Sequence, residues 1–268
     1  MQFYSINLVI KLSLKKCIII LLVSLFSHYS FSQQNDGYGV NLPKFYKSPL
    51  HFGFTIAGNS TDFRIVTVPN SKFPDTLIVK DKDSTRYKVI TVYSNPAPGF
   101  AIGLVSDMRL QEYIRLRFTP SISFGSRKIE YTLSNRGRDT FKVYQKLVES
   151  TFLIFPLETK IQSKRLNNFS AYVIGGGGYM LDLNAKKKTA GTAGGANQLD
   201  NNVKLKRDDF FYSAGAGTDF YLEYFKLGLE IKLLIGTKNL LKPENSIFSN
   251  SIEKIRSRMV VFTVTFEG

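Results

Sequence analysis

Along much of the chain, apolar residues fall at every second position. In YIRLRFTPSISF, Tyr113 to Phe124, the residues Ile114, Leu116, Phe118, Ile122 and Phe124 alternate with Tyr113, Arg115, Arg117, Thr119, Ser121 and Ser123. Period two marks a β-strand whose faces meet different surroundings. LHFGFTIAGN repeats it, with Leu50, Phe52, Phe54 and Ile56 opposite His51, Gly53, Thr55, Ala57 and Asn59. PGFAIGLVSDMRL sets Phe100, Ile102, Leu104 and Met108 against Ala101, Gly103, Val105, Asp107 and Arg109. In ESTFLIFPLETK, Leu153, Phe155 and Leu157 oppose Glu158 and Lys160, with Phe152 and Ile154 blurring the second face. FSAYVIGGGGYMLDL is less regular and rich in glycine, whereas DFFYSAGAGTDFYLEY carries Ser213, Gly215, Gly217, Asp219 and Glu223 on its polar side. KLGLEIKLLIG and RMVVFTVTFEG complete the set, with Lys226, Gly228, Glu230 and Lys232, then Thr263, Thr265 and Glu267, on their polar faces. Eight strands are expected.

Alternation leaves open which face meets which solvent. The connections narrow the choice. Short links at Leu110 to Glu112, at SKRLNN (Ser163 to Asn168) and at EYFK (Glu223 to Lys226) alternate with long ones after Asn59, Phe124, Leu181 and Gly236. The long connection from Thr61 to Pro98 is expected to form an outer loop. Strict short–long alternation is the habit of an up-and-down barrel with one rim in a periplasm and the other outside. A lipocalin-like barrel is the soluble rival, with the apolar face turned in towards a ligand. Three features favour the membrane form. The strands approach the roughly 9–11 residues that cross an outer membrane. Gly, Ser, Thr and Ala dominate the polar face, which suits a narrow interior. Aromatics gather at strand ends (Phe45 and Tyr46, Phe210 to Tyr212, Phe220 and Tyr221, Tyr224 and Phe225), where an interfacial girdle sits. The expected fold is all-β: an eight-stranded antiparallel up-and-down transmembrane β-barrel with short periplasmic turns and long outer loops, over residues 50–268.

The N-terminus agrees with export. Lys11, Lys15 and Lys16 precede the apolar run Cys17 to Phe26, followed by Ser30 and Ser32. These are the parts of a signal peptide, expected to span residues 1–32, with a periplasmic N-terminal segment at 33–49. The run is shorter than the ~20 residues a spanning helix needs. Its removal takes away the single cysteine, and with it disulfides, thiolate catalysis and cysteine-based zinc sites. The formal charge of +15 includes the three signal-peptide lysines. Export makes nucleic acid a poor partner, while outer-membrane lipid and the phosphates of lipopolysaccharide suit a basic surface. The runs Lys186 to Lys188 and Lys204 to Arg207 are candidates for that contact, or simply solvated loop charge.

With the apolar face towards lipid, the charged residues of the other face share a confined lumen. The expected network comprises Asp107, Arg109, Arg115, Arg117, Glu158, Lys160, Asp219, Glu223, Glu230 and Lys232. Eight strands leave room for side chains rather than a wide channel. RLQEYIRLRF admits two readings: lumen salt bridges plus a turn, or a docking point for a periplasmic partner. SKRLNN is either a solubilising turn or a partner contact through Lys164 and Arg165. GGGG, Gly175 to Gly178, lacks the Lys-Ser or Lys-Thr of a phosphate loop and reads as curvature or space for a large opposing side chain. His51, the one histidine after the leader, has no nucleophile in its sequence context, and Asp208–Asp209 reads as loop solvation. No catalytic, cofactor or metal residues are expected, nor a small-molecule substrate.

In order, HFGFTIAGNSTDF, PGFAIGLVSDMRLQEYIRLRFTPSISFGSRKIEY, ESTFLIFPLETKIQSKRLNNFSAYVIGGGGYMLDL and DFFYSAGAGTDFYLEYFKLGLEIKLLIGTKNLL resemble the PorT family. This is an outer-membrane β-barrel component of the type IX (Por) secretion system of Bacteroidetes. The likeness weakens from Val66 to Tyr93, from Ala185 to Lys204 and near the C-terminus, where Phe266 is displaced from the end by Glu267 and Gly268. The resemblance implies an accessory barrel needed for cargo export, not itself the conduit. Its partners would be other type IX secretion envelope proteins, and in some members it serves gliding motility. It brings no catalytic residues. The alternative is a structural or adhesive barrel that anchors the envelope or binds lipopolysaccharide.

Overall fold

The computed structural model describes residues 39–45, 48–69, 77–79, 85–135, 141–184, 205–242 and 250–268. Residues 1–32, Tyr46, Lys186 to Lys188 and Lys204, singled out above, lie outside that set. The described chain is built of antiparallel strands: β1 (Leu50–Thr67), β2 (Leu77–Val79), β3 (Thr85–Asn95), β4 (Ala97–Arg109), β5 (Ile114–Phe118) and β6 (Ser121–Asn135). β7 (Phe141–Gln162), β8 (Phe169–Asp182), β9 (Asp208–Tyr221), β10 (Lys226–Gly236) and β11 (Ile252–Glu267) follow. Hydrogen-bonded neighbours run from β1 through β11, β10, β9, β8, β7, β5 and β4, and β4 pairs with β1 again.

Two interruptions have one cause. β5 and β6 share a register against β4 (Ser106 opposite Phe118, Gly103 opposite Ser121) and against β7 (Phe118 opposite Leu157, Ser121 opposite Ile154). They form one strand that loses its ladder at Pro120, which has no N–H to donate. The Pro120 carbonyl still accepts from Leu104 N at 3.0 Å. Pro96 also separates β3 from β4, but there the register against β6 shifts by one residue (Asn95 opposite Lys128, Gly99 opposite Gly125).

The exposure pattern settles which face is which. On β1, Phe52 is 61% exposed and Ile56 52%, while His51 is 3% and Thr55 6%. On β4, Phe100, Ile102 and Leu104 point out while Ala101, Val105 and Asp107 are buried. Arg115 and Arg117 are enclosed and Phe118, Ile122 and Phe124 are exposed. An outward apolar belt of this extent far exceeds the few hundred Å² tolerated by a water-soluble monomer. In β7, Phe152 and Ile154, which blurred the alternation, are buried with the polar face.

The loops expected after Asn59 and Phe124 are largely strand. β1 continues to Thr67 and β3 occupies Thr85–Asn95, while β6 and β7 pair from Ser121–Ile154 out to Ser134–Phe141. Beyond the belt the faces reverse. Phe63, Val89, Val92, Ile129, Tyr131, Val148, Ile252 and Ile255 pack together inside, joined by Leu205, Leu240 and Leu241, while Arg64 and Lys128 point out beside a few exposed apolar residues, Val66, Tyr93, Val143 and Leu147. That is the pattern of a sheet in water. On β1, β6, β7 and β11 as far as Ile255 the inward parity is unbroken, so the reversal there lies in the residues chosen, whereas on β3 a bulge between Val89 and Thr91 lets both Val89 and Val92 face inward. The reversal marks where one solvent gives way to the other.

The expected aromatic girdle is only partly outward. Phe210, Tyr212, Phe220 and Tyr224 are exposed, but Phe211 and Tyr221 are buried and Phe45 stacks on buried His51. Neighbours in sequence on a strand face opposite sides, so a run of three aromatics cannot all face outward.

Candidate functional site

The interior at the short-turn end is a closed set of ion pairs. Asp107, wholly buried, accepts from Arg115 Nε at 2.7 Å and from Arg117 Nη2 at 2.7 Å. Arg117 also meets Glu267 at 2.7 Å and Glu230 at 3.4 Å. Lys160 donates to Asp219 at 2.5 Å, Lys226 Nζ forms an ion pair with Glu267 at 2.6 Å, and Lys232 bridges Glu158 at 2.8 Å and Glu230 at 2.9 Å. Asp107, Glu158, Asp219, Glu230 and Glu267 thus face Arg115, Arg117, Lys160, Lys226 and Lys232, one cation for each carboxylate. Enclosed charges are tolerable only when paired and hydrogen-bonded, and this set is neutral in sum.

Aromatic and hydroxyl groups complete it. Tyr172 donates to Glu230 at 2.9 Å, and Lys160 Nζ lies 3.8 Å from the centre of its ring. Ser213 donates to Glu158 at 2.5 Å. Glycine makes the room. A Cβ on Gly217 would sit 2.5 Å from the Tyr172 ring, and one on Gly178 would sit 2.6 Å from Phe211 Cζ. Part of the GGGG run therefore serves as space for an opposing side chain.

Of the residues expected in this network, Asp107, Arg115, Arg117, Glu158, Lys160, Asp219, Glu230 and Lys232 are brought together. Two are not. Glu223 is exposed, because β9 ends at Tyr221 and the alternation that pointed Glu223 inward stops at the turn. Arg109 is half-buried at the rim, on the last residue of β4, rather than enclosed. Lys226 and Glu267 belong to the network but were missed. Both share the polar parity of their strands, which was the available signal. Phe266 faces outward and stacks on Phe54 at 4.8 Å, while the next residue turns in to Arg117 and Lys226.

Above the charges lies a cavity of about 50 Å³, walled by Arg117, Glu158, Glu230 and Lys232 below and by Ala101, Ile154, Leu234 and Met259 above. That suits a few waters at ~10–15 Å³ each, well short of the ~300 Å³ of a small-molecule site. Next comes an apolar layer of Ala57, Ala101, Phe152, Ile154, Met180, Phe211, Leu234, Met259 and Val261. Arg127 crosses it, held by Ser150 at 2.8 Å and Asp182 at 3.2 Å, with its guanidinium over the Phe63 and Phe152 rings at 4.1 and 4.8 Å. The core around Phe63 and Ile255 lies beyond it.

The short-turn end carries a strap from the N-terminal segment. Asn41 N donates to Asn168 Oδ1 at 2.8 Å and Asn41 Nδ2 to the Tyr221 carbonyl at 3.0 Å. Arg165 donates to the Asn41 and Leu42 carbonyls and lies 3.9 Å over the Tyr221 ring; its partial burial lowers the guanidinium from its ordinary value. Phe45 stacks on His51 at 3.6 Å between ring centres. Arg165, a candidate partner contact, is therefore engaged by its own chain, because its planar donors match carbonyls that the strap presents. Lys164 is exposed. Among the described residues, no group of three or more His, Cys, Asp or Glu is placed to hold a metal.

No curated protein matches the chain in sequence. Among solved structures, the outer membrane protein OprG from Pseudomonas aeruginosa aligns at 12% identity and a TM-score of 0.34, over 81% of this chain and 91% of that one. The outer membrane protease OmpT from Escherichia coli aligns at 10% identity and 0.27, over 82% and 94%. A family model described as an outer membrane protein beta-barrel domain matches residues 31–242. With apolar residues outside and paired charges within, the chain belongs to the outer membrane protein beta-barrel family.

Proposed function

We propose that this protein is an eight-stranded transmembrane barrel serving as an accessory part of the type IX secretion machinery, required for cargo export without being the passage. Counting β5 with β6 as one strand and β3 as the continuation of β4, the cycle of pairings has eight members. The observation that carries the accessory role is the filled interior. Ion pairs, an apolar layer and an upper core succeed one another along the axis, separated by a cavity of only about 50 Å³. A chain in transit would have to break the ion pairs and unpack both apolar layers. The likeness to PorT supplies the choice of secretion system, and in this reading the other envelope components of that system are the partners. The short-turn rim is the periplasmic side, fed by a cleaved leader.

Depleting the protein in its host and quantifying several unrelated cargo proteins in medium and periplasm tests the reading. Periplasmic accumulation, with other outer-membrane barrels still assembled, is the expected result. Normal export would overturn the secretion role and leave the envelope-anchoring alternative.

A further inference from the structure

The outward face of the β1–β11 wall changes character within a few residues. Down β11 it reads Phe266, Val264, Phe262 and Val260, then Arg258, Arg256 and Lys254. Along β1 it reads Phe54, Ile56, Gly58 and Ser60, then Asp62, Arg64 and Val66. The register sets Asp62 opposite Arg258, Arg64 opposite Arg256 and Val66 opposite Lys254. Arg258 is satisfied, donating to both oxygens of Asp62. Arg64 and Arg256 instead face each other directly, with Lys254 on the diagonal. Like charges placed opposite one another on antiparallel strands repel. Among the described residues no carboxylate pairs with Arg64, Lys254 or Arg256, and the Arg256 Nε–H is enclosed without an acceptor. Three cations kept together without a carboxylate among the described residues, on an otherwise well-paired wall, suit an anion from outside the chain.

The height of the cluster says what kind. Arg256 lies four residues beyond Val260, the last outward-facing apolar residue of β11. At ~3.4 Å per residue and a tilt of ~40°, that is about 10 Å above the apolar belt. The polar layer of a bilayer extends ~5–8 Å beyond its hydrocarbon edge, within side-chain reach of the cluster. Val260, Phe262 and Ile56 continue directly below it, offering acyl chains a surface contiguous with the charges. We infer that Arg64, Lys254 and Arg256 form a binding site for the phosphorylated headgroup of an outer-leaflet glycolipid of the lipid A type, with its acyl chains lying down the β1–β11 face. Arginine supplies paired donors to phosphate oxygens and lysine a point charge. The site rests on the reading of the chain as a membrane barrel with its long-loop end outward.

The test uses the full chain refolded in detergent, its folding checked by the heat-dependent gel shift of an intact barrel. Native mass spectrometry then measures retention of bis-phosphorylated lipid A, dephosphorylated lipid A and phosphatidylethanolamine, with inorganic phosphate as competitor. The wild type is expected to prefer the phosphorylated lipid at least tenfold. The R64Q/K254Q/R256Q variant is expected to lose that preference and K44Q, at the opposite rim, to keep it. The single variant R256Q, expected to weaken retention severalfold, replaces the triple variant if that fails to refold. Equal retention of phosphorylated and dephosphorylated lipid, unchanged binding by the substituted chain, or displacement by inorganic phosphate at lipid concentrations would each overturn the site. A chain that stays folded and monomeric in water without detergent would instead overturn the barrel reading beneath it.

Discussion

Replacing Asp107 with asparagine removes the carboxylate on which the buried network converges. Its oxygens lie 2.7 Å from Arg115 Nε, 2.7 Å from Arg117 Nη2, 3.9 Å from Lys160 Nζ and 4.0 Å from Lys226 Nζ. Asparagine preserves the shape and returns one carbonyl oxygen for the two ionised ones. The enclosed set then carries four carboxylates against five cations, and the adjoining cavity of about 50 Å³ admits too few waters to solvate the surplus. Breaking a buried pair by removing one partner costs about 3–5 kcal/mol, mainly because the other partner stays buried and unpaired. That corresponds to an increase of about 10²- to 10⁴-fold in the unfolding constant. Equilibrium unfolding of D107N in denaturant, followed by the loss of β-sheet circular dichroism in lipid vesicles, reads this directly. Adding R115Q restores neutrality, so D107N/R115Q should be less destabilised than the two single effects added, with a coupling of about 1–3 kcal/mol. A D107N cost below about 1 kcal/mol, or strict additivity in the cycle, would refute a network held by mutual neutralisation.

Other expectations follow from the interior and the belt. G217A places a Cβ 2.5 Å from the Tyr172 ring and should cost about 1–3 kcal/mol in the same unfolding assay, with partial recovery in G217A/Y172L. I231R on the exposed belt should cost about 2–4 kcal/mol in lipid vesicles, whereas V66R beyond the belt should cost less than about 1; equal costs would misplace the solvent boundary. I255A, in the upper core, should cost about 2–5 kcal/mol and speed amide exchange in β11 above Val260 ahead of the belt. F45A removes the stack on His51, worth about 0.5–1.5 kcal/mol, and should raise hydrogen exchange across residues 40–45 while leaving global stability nearly unchanged.

The ten-residue patterns around Phe54, Ile102, Leu116, Ile231 and Val264 reveal strands and their two faces, because side-chain parity is a local property of extended backbone. The short links at Leu110, Ser163 and Glu223 were legible for the same reason, since polar and turn-forming residues interrupt the alternation there. Strand length was harder to read. β1 past Asn59 and β6 past Phe124 lack the apolar-outside pattern, so they looked like loops. They are strands with water outside and Phe63 or Ile129 within. Glu223 went wrong where parity was extended one step beyond the strand's end.

Local sequence therefore determined which residues share a face. It could not determine the surroundings of that face, because exchanging inside for outside leaves an alternating pattern unchanged. Only the closing of β1 against both β11 and β4 put Phe52 and Phe262 on the outer surface and enclosed Arg117 with Glu267, 150 positions away. Such pairings carry no local signature. Each charge sits on its polar face for local reasons, but what neutralises it is set by which strands the fold brings across the interior.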